Sequence, residues 1–169
     1  MHTYLKILPF FSSIQYTGLL YLEPMDFQQK TIYALDVTNN ENLRYIGQET
    51  FKSLNSTLQA LVIKNSPFSL LEEQKHSFFD LFIELHQLKH LILEDNQYLS
   101  MEGVSLTEDK SKEPILNNLE YLSFKGSYLQ KIEKSLFWPL RQASKLTHLN
   151  LRSCRLGKLH AIWSYKQFS

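Results

Sequence analysis

Apolar residues return along this chain at fixed offsets, and the offsets form a frame. Leu88, Leu91 and Leu93 occupy positions one, four and six of a unit whose ninth position is Asn96. Leu119, Leu122, Phe124 and Ser127 repeat the spacing, and so do Leu146, Leu149, Leu151 and Cys154. Upstream, Leu58, Leu61, Ile63 and Ser66 match it, as do Ile32, Leu35, Val37 and Asn40. Five copies therefore begin at 32, 58, 88, 119 and 146, at intervals of 26, 30, 31 and 27 residues. Period-two alternation within each copy predicts a short strand whose framed pair faces inward. Leu35/Val37, Leu61/Ile63, Leu91/Leu93, Leu122/Phe124 and Leu149/Leu151 are the predicted core. One unit has too little apolar surface to fold alone, so neighbouring units must stack and join these pairs.

A second spacing lies between the strands. Leu43-x-x-Ile46-x-x-x-x-Phe51-x-x-Leu54 recurs as Leu129-x-x-Ile132-x-x-x-x-Phe137-x-x-Leu140. Leu19-x-x-Leu22-x-x-x-x-Phe27 carries the same motif, which makes residues 1–31 a degenerate first repeat. Its strand has two candidate frames, Leu5/Leu8/Phe10 and Leu8/Phe11/Ser13. The uncharged stretch between Lys6 and Glu23 belongs to this repeat; polar residues interrupt it, and it is too short to span a bilayer. Leu156, Leu159 and Ile162 open a further return segment. Helical periodicity between Leu70 and Gln87 predicts a helix there, with Ser69 as its N-cap and Glu72 at the capping-box position. A second short helix is expected from about Leu129 to Ala143, limited by Pro139. The mixed-charge segment Thr107–Pro114 reads as a solvated loop.

The first frame resembles the leucine-rich repeat family, whose unit begins L-x-x-L-x-L-x-x-N/C-x-L. The resemblance covers the chain from 32 onward and implies a single α/β solenoid over 1–169. A short curved parallel sheet would form its concave face, with helices and loops on the convex face. It also implies a ladder at the ninth position, where side chains bond backbone groups of the turn: Asn40 and Asn96 match it, Cys154 is the accepted substitute, and Ser66 and Ser127 depart from it. Serine is shorter, so a weaker ladder is expected there. The return motif is similar to that of extracellular and cell-surface members, such as Toll-like receptor ectodomains and chaoptin-like adhesion proteins. The long repeats with a helical return are similar to intracellular members, such as F-box substrate adaptors, so a cytoplasmic chain is the alternative. Cysteine-paired caps are missing, and the chain reads as a section of a longer solenoid.

Outward strand positions carry the functional expectation. Members of the family usually dock a protein on the concave face, and there the last three strands present His90, Ile92 and Glu94, then Tyr121, Ser123 and Lys125, then His148, Asn150 and Arg152. Alternating charges in the column Lys64, Glu94, Lys125 and Arg152 also fit simple neutralisation on a wet surface. Asn55-Ser-Thr57 is an N-glycosylation sequon on the turn before the second framed strand.

Composition narrows the chemistry. The chain holds 30 leucines, five glycines and one cysteine among 169 residues. No internal disulfide or thiolate metal cage is available to Cys154, whose expected role is structural. A net charge of +1 carries no footprint for nucleic acid. Six histidines include no H-E-x-x-H pair, and G-x-S-x-G, the P-loop and G-x-G-x-x-G are missing. The expectation is a non-catalytic, cofactor-free module for a protein partner, receptor-like or adhesive, without a small-molecule substrate or a transmembrane segment.

Overall fold

A computed structural model describes residues 11–15, 17–47, 49–68, 81–82, 84–96, 116–132 and 143–159. Among these residues ten strands follow one another: β1 (Phe11–Gln15), β2 (Tyr21–Leu22), β3 (Ala34–Thr38), β4 (Tyr45–Ile46), β5 (Ala60–Lys64), β6 (His90–Ile92), β7 (Tyr121–Ser123), β8 (Tyr128–Ile132), β9 (His148–Asn150) and β10 (Arg155–Leu159). One six-stranded sheet takes the order β1-β3-β5-β6-β7-β9. Every pairing in it is parallel. Smaller parallel pairs, β2 with β4 and β8 with β10, lie in the return segments. The chain is thus a parallel-strand solenoid.

Register carries the repeat frame through the sheet. Leu35 pairs with Leu61, Leu61 with Leu91, Leu91 with Leu122 and Leu122 with Leu149. The framed pairs of β3, β5, β6 and β7 are fully buried and join one core. Leu149 and Leu151 are only partly buried, because β9 ends the sheet and has a neighbour on one side. In β1, Ser12 pairs with Leu35 and Ile14 with Val37. Neither sequence frame for the first strand is correct: Phe11 points away from the core and is 41% exposed. A serine where the other strands carry leucine removed the apolar signal that would have fixed this register.

The returns are tighter than a helical reading expects. Among the described residues they contain 3₁₀ turns at Pro24–Phe27 and Lys52–Leu54 and no α-helix. The helix expected between Leu70 and Gln87 falls mostly outside the described residues, as does the Thr107–Pro114 loop; residues 81–82 are a 3₁₀ turn. The helix expected from Leu129 begins instead as β8, which pairs Leu129 with Leu156 and Ile132 with Leu159. Both repeats bring the same motif positions into register, so the backbone groups bond across turns and a helix is unnecessary there. Leu22 and Ile46 match in the same way.

Phenylalanines form a spine behind the sheet. Phe27 and Phe51 lie 6.0 Å apart between ring centroids, and Phe51 and Phe82 lie 6.2 Å apart. All three are buried. Ser53 Oγ donates to the Phe27 carbonyl at 3.1 Å, and the Gly47 amide to the Leu22 carbonyl at 2.8 Å, tying one turn to the previous one.

Candidate protein-binding surface

The site rests on the turn that ends each framed strand. Asn40 Nδ2 donates to the Ile14 carbonyl at 2.8 Å, and its Oδ1 accepts from the Thr17 amide and hydroxyl. Asn96 repeats the arrangement, donating to the Ile63 carbonyl at 2.8 Å and accepting from the Ser66 amide at 2.9 Å. At Ser66 a single hydroxyl stands in, accepting from the Asn40 amide at 3.1 Å and lying 3.2 Å from the Val37 carbonyl. Ser127 accepts from the Asn96 amide at 3.1 Å and donates to the Leu93 carbonyl at 2.7 Å. Cys154 Sγ donates to the Phe124 carbonyl at 3.0 Å. The weakening expected at the serines does not appear at Ser127, because a hydroxyl can donate and accept at once; at Ser66 it does, since the single proton has the Lys64 carbonyl nearer, at 2.9 Å, than the Val37 carbonyl of the previous turn. Burial pushes the Cys154 thiol up, against backbone amides of Ser127 and Gly126 that favour the thiolate.

Preceding each ladder residue is a left-handed one: Asn39, Asn65, Asp95, Gly126 and Ser153. Asn, Asp and Gly tolerate that conformation best. At Gly126 a Cβ would come within 2.0 Å of Asp95 Oδ1, so any side chain there requires the Asp95 carboxylate to move aside. Sequence reasoning passed over this position, although the dipeptides Asn39-Asn40, Asn65-Ser66, Asp95-Asn96 and Gly126-Ser127 carry ordinary turn signals.

With the turns fixed, the face of the sheet opposite the core holds three rows. The first contains Phe11, Ala34, Ala60, His90, Tyr121 and His148. Its last three rings stand in file, with centroids 6.3 Å apart from His90 to Tyr121 and 5.9 Å from Tyr121 to His148. Burial lowers the His90 pKa, as does Lys89, while Glu120 acts in the opposite direction. The middle row runs through Asp36, Val62, Ile92, Ser123 and Asn150. Beyond the ends of the shorter strands lie the positions of the third, with Lys64, Glu94, Lys125 and Arg152.

Exposure differs from the sequence expectation at three candidates. Ile92 is 9% exposed, Glu94 1% and Ser123 0%. Short middle-row side chains lie below longer neighbours in the flanking rows, and Glu94 folds down to bond them. Lys64 Nζ meets Glu94 Oε2 at 2.6 Å, and Ser123 Oγ donates to Glu94 Oε1 at 2.5 Å. Burial by itself would raise the Glu94 carboxyl, yet the Lys64 ammonium and Ser123 hydroxyl hold it below the ordinary carboxylate range. Neutralisation in this column is therefore confined to Lys64 and Glu94, whose carboxylate end is buried and whose ammonium end is partly exposed. Asp36 is buried likewise, accepting from Gln15 Nε2 at 2.8 Å and from the Thr38 hydroxyl. His148, Lys125 and Arg152 are exposed, and His90, Tyr121 and Asn150 are half-buried. Asn150 Oδ1 accepts from the Arg152 amide at 3.0 Å and is thereby tied to its own turn.

Asn55 ends the Lys52–Leu54 turn and is half-buried, and the Thr57 hydroxyl is buried without a hydrogen-bond partner. Among the described residues no three His, Cys, Asp or Glu side chains group as metal ligands. No helix among them is long and apolar enough to cross a membrane. Compared with known proteins, the chain matches no protein-family model and no curated sequence.

Proposed function

We propose that the chain is a leucine-rich repeat module of the extracellular or cell-surface type, without catalytic activity, that binds a protein partner on the sheet face bearing His90, Tyr121 and His148. The observation carrying this reading is the file of three rings, two of them half-buried and one exposed, beside the exposed cations Lys125 and Arg152. Aromatic and arginine side chains are the groups that most often anchor protein interfaces. The ninth-position ladder supports the family, since it uses Asn, Ser and Cys at the positions where the repeat motif asks for them.

A binding assay with Tyr121, His148 and Arg152 changed together to alanine tests the surface. Loss of partner binding with an unchanged melting curve is expected; undiminished binding moves the site to the loops. Compartment is tested separately by secreting the chain and measuring a glycosidase-sensitive mass shift at Asn55. Thr57→Val is the matched control, because it removes the sequon together with a buried hydroxyl that has no partner. An unmodified Asn55 on a secreted chain would favour an adaptor role inside the cell.

A further inference from the structure

Two rows on the open face of the sheet share one electrostatic preference at β7 and β9. Both oxygens of the Glu94 carboxylate are engaged, one by Lys64 and one by Ser123. Lys125 and Arg152 follow in the same row, exposed at the ends of adjacent strands, and among the described residues neither has an ion-pair partner. Besides Glu94, on which Lys125 also acts, the acidic groups next to these strands are Glu120, which acts on His90, and Asp95, whose carboxylate rests against Gly126. Neither is paired with Lys125 or Arg152. In the opposite row the planes of His90, Tyr121 and His148 lie 33° and 30° from one another. Rings stacked in file offer a partner their edges, and aromatic edges carry the positive end of the quadrupole. The low floor of Ile92, Ser123 and Asn150 lies between the rows. The rows lie four residues apart along the chain, at most about 13 Å on an extended-strand rise, which is room for one peptide chain lying across the strands.

We propose that this trough binds an acidic, extended protein segment. Neighbouring carboxylates of the segment meet Lys125 and Arg152, and an adjoining side chain rests on the edges of Tyr121 and His148. The inference builds on the reading that this face docks a partner, and adds the partner's chemistry. Exposed cations that form no ion pair among the described residues can steer and hold a complementary segment, and rim charges act mainly on encounter rate and salt dependence.

The full chain, panned against a random peptide display library, provides the test. Enriched peptides are expected to carry adjoining Asp or Glu residues and to bind more weakly as salt rises. Their affinity should fall about tenfold or more in Lys125→Glu/Arg152→Glu, and by less in Lys125→Gln/Arg152→Gln. Thermal melting of each variant shows that the fold is intact. Enrichment of neutral or basic peptides, no enrichment at all, or binding indifferent to charge reversal overturns the proposal. Tyr121→Ala separates the two levels. If it weakens binding while charge reversal does not, docking on this face stands and the acidic partner falls; if neither change matters, the docking surface falls too.

Discussion

At Ser127 a serine hydroxyl takes over both atoms of an asparagine carboxamide, accepting from the Asn96 amide and donating to the Leu93 carbonyl, while at Ser66 the acceptor half is kept and the proton is shared with the local Lys64 carbonyl. Removing one such group leaves a buried amide and a buried carbonyl without partners. Ser127→Ala is therefore expected to cost about 1–3 kcal/mol. Cys154→Ala should cost less, under about 1 kcal/mol, since a thiol is a weak donor and this one is only partly buried. Chemical denaturation of the two variants checks the order. Glu94 gives a pH signature of its own. Its carboxyl sits below the ordinary range in the folded chain. The stability it contributes is thus complete above the unfolded value, about 4.3, and is lost as pH falls through the lower folded value. In Glu94→Gln that acid-limb loss should shrink when unfolding is followed from pH 6 to about 2. His90 acts in a separate window. Its folded pKa is lowered, so its contribution is present above about 6.5 and fades as pH falls below that point.

The five framed strands were readable because period-two framing at fixed intervals has few other solutions, and each registered pair from β3 to β9 is the one the frame predicts. The first strand was not readable, since Ser12 sits where leucine would have marked the core. Returns were the weaker part. The Leu129-x-x-Ile132 spacing fits a helix as well as a strand that bonds the next turn, and only pairing with β10 decides between them. Direction of the open-face residues followed from alternation, but depth did not. Nothing local in the sequence tells Glu94 to bend down to Lys64 and Ser123, residues that come from other turns. The phenylalanine spine was visible as a motif, while Phe82 joined it without matching the spacing. Phe51 lies between Phe27 and Phe82 and touches both returns, so Phe51→Ala is expected to cost about 3–5 kcal/mol, read from equilibrium unfolding. Phe51→Leu keeps most of the volume and should cost clearly less.

Across the whole molecule, stability should vary along the solenoid, because each turn is held mainly by its neighbours. Leu91 has turns on both sides and is fully buried; Leu149 belongs to the last strand of the sheet and is partly exposed. Leu91→Ala is expected to cost about 2–5 kcal/mol and Leu149→Ala clearly less. Hydrogen exchange should show the same gradient, with the β5 and β6 amides more protected than those of β9. Lost protection at β9 without loss at β5 in Leu149→Ala would mark unfolding that begins at that end.

The ladder joins residues 23, 26, 30 and 31 positions apart with the same few bonds. The sheet is therefore indifferent to how much chain passes through each return. Insertions and deletions can accumulate on the far side while every row across the strands keeps its spacing. A partner reading those rows meets a fixed ruler, and the returns are free to diverge and acquire contacts of their own.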